Sequence, residues 1–119
     1  MDFPKRGEIW LVLLEPIVGS EIGKTRPAVV ISNNKNNQFS DTITVIPLTS
    51  KTAKVYPFEA LLPKEDTGLI KDSKAKSNQI RTVDKRRLVN FLGSASEERL
   101  QEIEQALSIH LGISLARNK

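Results

Sequence analysis

Three short stretches carry side chains suited to chemistry on an anion. "GSEIGKTRP" brings Ser20, Glu21, Lys24 and Arg26 to the start of an apolar run. "LTS" puts Thr49 and Ser50 at the end of another, and "KSNQIR" groups Lys76, Asn78, Gln79 and Arg81. An arginine guanidinium presents paired donors in a fixed plane and stays charged at any working pH, which suits a phosphate. A threonine hydroxyl adds a neutral donor to a phosphoryl oxygen. Together they could stabilise the charge that develops in phosphoryl transfer. The same residues also admit a structural use: Arg26 paired with Glu21 at the surface, Thr49 in a turn, Gln79 satisfying loop backbone.

Other chemistries are excluded by what the chain lacks. It has no cysteine, so disulfides, thiolate nucleophiles and cysteine-bound zinc drop out, which fits a reducing compartment. The only histidine is His110, near the end of a helical pattern, so a pair of histidines cannot share acid and base roles within one chain. Gly19-x-x-x-Gly23 lacks the spacing and the following helix of a phosphate-binding loop. No His, Asp and Glu cluster has metal-ligand spacing, and neither a metal nor another cofactor is expected. Chemistry is left to carboxylates, hydroxyls, amides and cations.

Those residues need elements to hold them. With 119 residues, 39% hydrophobic and 27% charged, the chain reads as one globular domain over residues 1–119. A core of that size is modest, which makes self-association a natural supplement. No stretch reaches a membrane-span length and the N-terminus has no signal-peptide pattern, so a cytoplasmic protein is expected. A net charge of +4 and an isoelectric point near 9.5 permit a polyanionic partner without requiring one.

Short apolar runs punctuated by turn residues predict strands at "GEIWLVLL", "PAVVIS", "TITVIPL", "YPFEALL", "KSNQIRTV" and "RLVNFLG". "NNKNNQFSD" reads as a loop. The period then changes: Leu100, Ile103, Leu107 and Leu111 fall on one helical face, with Ser94 or Ser96 as N-cap and Gly112 as C-cap. Strands followed by one helix predict a mostly β (α+β) domain in the form of a small barrel or sandwich.

The chain resembles the MazF/PemK (Kid-like) toxins of bacterial toxin–antitoxin pairs. The resemblance is carried by "RGEIWLV", "EPIVGSEIGKTRPAVVIS", "IPLTS", "YPFE", "NQIRTVDKRRL" and the helix ending "ALSIHLGI", in matching order over nearly the whole chain. It implies an SH3-like β-barrel with a C-terminal α-helix, usually a homodimer. It further implies a metal-independent endoribonuclease that cuts single-stranded RNA at short motifs and is blocked by a cognate antitoxin. The nucleophile in that family is the substrate's own ribose 2′-hydroxyl, and the products carry a 2′,3′-cyclic phosphate and a 5′-hydroxyl.

The resemblance puts the family's key arginine on Arg26, its key threonine on Thr49 and a frequently implicated glutamate on Glu21. RNA contacts are expected from Ser20, Lys24, Ser50, Lys76, Asn78, Gln79 and Arg81, with loop amides Asn33, Asn34 and Asn36 as readers of bases. A glutamate of ordinary pKa, about 4.3, is a weak base, so Glu21 serves as base or as orienter of Arg26. Two positions depart from the Kid-like branch. Ser20 stands where that branch has histidine, and Lys76-Ser77-Asn78 where it has Arg-x-Asp, which favours the Arg26 and Thr49 set. The contrasting expectations are a CcdB-like toxin that binds DNA gyrase without catalysis, or a degenerate relative that only binds antitoxin.

Overall fold

A computed structural model describes residues 2–114. Its strands are β1 (Glu8–Leu13), β2 (Thr25–Val30), β3 (Thr42–Thr49), β4 (Glu59–Leu62), β5 (Ser73–Lys76), β6 (Arg81–Asp84) and β7 (Leu88–Ser94). Helix α1 (Asn34–Phe39) joins β2 to β3, and α2 (Glu97–Leu111) follows β7. All strand pairs are antiparallel, in the order β4-β5-β3-β2-β1-β7, with β6 also paired to β3. The expected mostly β chain with a C-terminal helix is present. Hydrogen-bonded pairing runs as an open path from β4 to β7, with no pairing between the two end strands among the described residues.

The apolar runs of β2 and β3 are continuous because both of their faces are covered. Val29, Ile46 and Leu48 pack with Leu100, Ile103 and Ala106 of α2 in one core. Ala28, Val30, Ile43 and Val45 point the other way, into a second core with Val12, Leu14 and Val83. Alternate side chains of a strand face opposite sides, so two cores need two interleaved apolar sets. Each large aliphatic side chain fully buried in this way contributes roughly 1.5–3 kcal/mol.

Helix α2 starts at Ser96, whose hydroxyl accepts the Arg99 N–H at 3.2 Å, with Glu97 and Glu98 in the first turn. It ends at Gly112, at φ 68°, where the N–H caps Ile109. Its buried face is Leu100, Ile103 and Ala106, whereas Leu111, expected on that face, is 49% exposed.

Three sequence expectations change. "NNKNNQFSD" contains α1, which has no apolar stripe. It is held by Asn33, which caps the Asn36 N–H at 2.8 Å, and by the buried Asn37, whose amide donates to Ser32 O at 2.8 Å. "YPFEALL" begins its strand only at Glu59, because Tyr56 O accepts the Glu59 N–H in a turn. "KSNQIRTV" is broken by a 3₁₀ turn at Ser77–Gln79, so β5 and β6 pair with different ends of β3.

Candidate RNA-binding cleft

Strand ends of β2, β3 and β5 converge where two clefts meet. Arg26, early in β2, is half-buried and its Nε donates to Gly23 O at 2.8 Å. That bond leaves the terminal guanidinium nitrogens for other partners. Thr49 closes β3, 9% exposed, directly opposite Lys74 of β5. Its hydroxyl accepts the Lys51 N–H at 3.3 Å and keeps its own hydrogen to donate.

Arg26 and Thr49 line both clefts. The first, about 440 Å³, is otherwise walled by Pro27, Leu48, Ser50, Gly68, Leu69, Ile70, Lys71, Ser73 and Leu92. The second, about 330 Å³, adds Ser20, Ile22, Lys51, Lys74, Lys76 and Gln79. Four cationic side chains thus surround the second cleft, and no carboxylate lines it. Among the described residues no cluster of His, Cys, Asp and Glu could hold a metal ion, and no helix is long and apolar enough to cross a membrane.

The 14–24 loop is held over the second cleft by specific bonds. Gln79 Oε1 accepts the Ile22 N–H at 3.2 Å, and Glu15 Oε2 accepts the Lys24 N–H at 2.6 Å. A Cβ at Gly23 would lie 2.7 Å from Glu15 Oε2 and 2.8 Å from Ile17 Cδ1, so a side chain there would displace the ends of both and disturb the Glu15 bond to Lys24. Lys24 takes a left-handed backbone, φ 66°, to redirect the chain into β2. Arg87 reaches back to the carbonyls of Leu13 and Glu15, tying the loop to the turn before β7.

Of the residues singled out in the sequence, Arg26, Thr49, Ser20, Lys76 and Gln79 come together in the second cleft, with Ser50 in the first. Glu21 is exposed and its carboxylate accepts the Val18 N–H at 2.8 Å. It forms no ion pair with Arg26 among the described residues. Lys24, Asn78 and Arg81 line neither cleft, and Asn78 Oδ1 is buried without a partner. The three loop amides serve the fold: Asn33 caps α1, Asn34 accepts the Arg6 N–H, and Asn36 donates to Thr42 O.

Sequence reading missed a buried ion-pair network behind the second cleft. Glu59 Oε1 accepts from Lys74 Nζ at 2.7 Å, and Oε2 lies 3.4 Å from Lys76 Nζ. Burial alone would raise the Glu59 carboxyl. The hydrogen bonds from Lys74 and the Tyr56 N–H, with the charges of both lysines, outweigh that and hold it below its ordinary value. Glu59 is therefore ionised at neutral pH. In the sequence Glu59 falls in the run "YPFEALL" and Lys76 opens "KSNQIRTV", while Lys74 lies outside both, so nothing local joins the three.

Comparison with known proteins gives this arrangement a lineage. Residues 5–111 match the model of the PemK-like, MazF-like toxins of type II toxin–antitoxin systems, and the chain belongs to that family. It is 45% identical over 114 residues to Endoribonuclease MazF9 of Mycobacterium tuberculosis, covering 92% of this chain and 97% of that protein. Among solved structures it is similar to MazF of Deinococcus radiodurans, with TM-score 0.83 and 31% identity over 95% of this chain and 100% of that one. It is also similar to a chain of the MazE–MazF structure from the same organism, with TM-score 0.76 and 31% identity over 96% and 100% of the two chains.

Proposed function

We propose that this chain is the toxin of a type II toxin–antitoxin pair and acts as a metal-independent endoribonuclease on single-stranded RNA in the cytoplasm. The observation that carries the reading is the junction itself: a free-ended guanidinium and a donor hydroxyl, Arg26 and Thr49, in a cleft ringed by cations. The family and the endoribonuclease relative support it.

In this mechanism the ribose 2′-hydroxyl attacks the adjacent phosphorus. The new O2′–P bond forms as the P–O5′ bond breaks, giving a 2′,3′-cyclic phosphate and a 5′-hydroxyl. The proton lost by O2′ passes to a base and O5′ gains one on departure. Arg26 neutralises the extra charge of the pentacoordinate phosphorus, and Thr49 donates to a non-bridging oxygen. Glu21 is the nearest acidic member of the loop in sequence. To act as base or to orient Arg26, it exchanges its bond to the Val18 N–H for one at the substrate.

RNA is gripped by Ser20, Ser50, Lys76 and Gln79 at the clefts, while Lys24, Asn78 and Arg81 act from their margins. Single strands suit such a site because unstacked bases can be read, whereas an A-form duplex hides its edges. We read residues 1–119 as one domain, its open sheet path curling into an SH3-like barrel, and the working form as a homodimer. The antitoxin brings an acidic segment that folds over the cationic cleft and so competes with RNA.

The test is to incubate purified protein with a long RNA in EDTA and map the ends. Discrete cuts with cyclic-phosphate termini are expected. Intact RNA together with gyrase inhibition would instead make the chain a CcdB-like binding toxin, and intact RNA alone a catalytically degenerate relative.

A further inference from the structure

Glu59 is a buried carboxylate that the mechanism above leaves without a task. It lies on β4 with its side chain 1% exposed, yet each of its oxygens faces a cation of β5. Register explains the meeting. Glu59 stands opposite Lys76, Leu61 stands opposite Lys74, and the two lysines share one sheet face. Lys74 in turn stands opposite Thr49, so the acid, the ammonium groups and the Thr49 hydroxyl occupy one continuous patch.

The two lysines differ in what they have left to offer. Lys74 Nζ is nearly buried, giving one hydrogen to Glu59 and another to Lys54 O at 2.6 Å. Lys76 is 27% exposed, lines the cleft, and makes only the 3.4 Å ion pair to Glu59 among the described residues. Its N–H donors that do not face the carboxylate can therefore turn to a ligand while the carboxylate keeps the head in place. Stability alone does not account for the network, because apolar residues of similar volume commonly replace a buried ion pair at no loss.

We propose that Glu59 is a positioning residue, holding the Lys76 ammonium against the cleft wall beside Thr49 as a second phosphate-binding point for the RNA strand. Lys74 is the buried brace of that point. A lysine held in place binds a phosphate without first losing its rotamer freedom, which is how preorganisation raises affinity. The inference rests on the RNA reading above, and its test separates the two.

A 2′-O-methyl single-stranded oligonucleotide cannot be cut by its own 2′-oxygen, so its binding reads affinity without chemistry. Wild type, E59Q, K76Q and the double variant are titrated with it over a range of salt, well below their melting temperatures. K76Q is expected to bind about fivefold more weakly at low salt, with the slope of log K against log salt flatter by about 0.7, as for one lost phosphate contact. E59Q should weaken binding about threefold, and the double variant should be no weaker than K76Q, because Glu59 acts through Lys76. In cleavage of ordinary RNA, E59Q should raise KM and leave kcat nearly unchanged. Wild-type binding by E59Q, or a double variant showing the product of the two losses, overturns the proposal. Should E59Q fail to fold, E59D takes its place in the cycle. Wild type that binds the oligonucleotide but cuts no RNA defeats the nuclease reading and leaves this subsite standing; cutting with unchanged binding in both variants defeats the subsite alone.

Discussion

The two clefts that share Arg26 and Thr49 are built from the same strands yet offer opposite chemistries. On one side Pro27, Leu48, Leu69, Ile70 and Leu92 make a largely apolar wall; on the other Lys51, Lys74 and Lys76 make a cationic one. An apolar wall suits base faces and says something about sequence. A cationic wall suits phosphates, which carry none. On the proposed mechanism the scissile phosphate sits where they meet, because Arg26 and Thr49 line both clefts. Neighbouring strand residues make this possible: Leu48 and Ser50 serve the first cleft alone, Lys51 the second alone, and Thr49 both.

The junction should fail first. Arg26→Ala is expected to lower kcat/KM by about 10²–10³ or more, the loss typical of a removed transition-state donor, with Tm nearly unchanged. Thr49→Val, which keeps the shape and deletes the hydroxyl, should cost roughly tenfold to a hundredfold, read in the same assay. Cleavage retained by Arg26→Ala would remove the reason for treating the junction as catalytic.

The walls should fail differently from each other. Ile70 is 89% exposed, so Ile70→Ser leaves the fold intact while removing an apolar contact. It should lower cleavage about tenfold at preferred sites and less at poor ones, with the salt slope unchanged, as the loss of a base contact would. Lys51→Gln should weaken binding a few-fold at every site and flatten the salt slope by about 0.7. Mapped cut positions and salt titrations together decide it. If Ile70→Ser acted uniformly and Lys51→Gln reshuffled the cut sites, the division of labour would be reversed.

How much of this was legible beforehand depended on range along the chain. "RPAVV" and "IPLTS" each place a polar residue at the end of an apolar run, so Arg26 and Thr49 were visible as strand-end groups before any fold existed. Helix α2 was visible because its period and both caps are local. Helix α1 was not, since a buried asparagine and an asparagine cap hold it, and asparagines otherwise signal loops. Lys74 and Lys76, two apart in a strand, look like a solvated face. Only the register that sets Glu59 opposite Lys76 turns them into a buried network. Cross-strand pairing is the information a linear reading lacks.

That network gives the comparison its smallest and most selective test. Pro27, Leu48, Leu69, Ile70 and Leu92 of the apolar wall do not titrate, whereas Lys74 and Lys76 of the cationic wall rest on Glu59. Its folded pKa lies below the ordinary 4.5, so its contribution to stability is complete above that value and fades as pH falls through the folded value. At neutral pH, Glu59→Gln should cost on the order of 2 kcal/mol, less than a fully buried pair because Lys76 is partly exposed. In a domain of this size that is roughly 8 °C of Tm. The gap between wild type and Glu59→Gln should shrink steadily as melts are taken from pH 7 down toward pH 3. Asp84, held down to about 2 by the side-chain and backbone hydrogen bonds from Arg86, titrates alike in both proteins and cancels. A gap that stays constant with pH would mean that Glu59 stabilises the fold by shape rather than by charge. The cationic wall would then stand without its buried counterion, and the contrast between the two clefts would reduce to their surfaces.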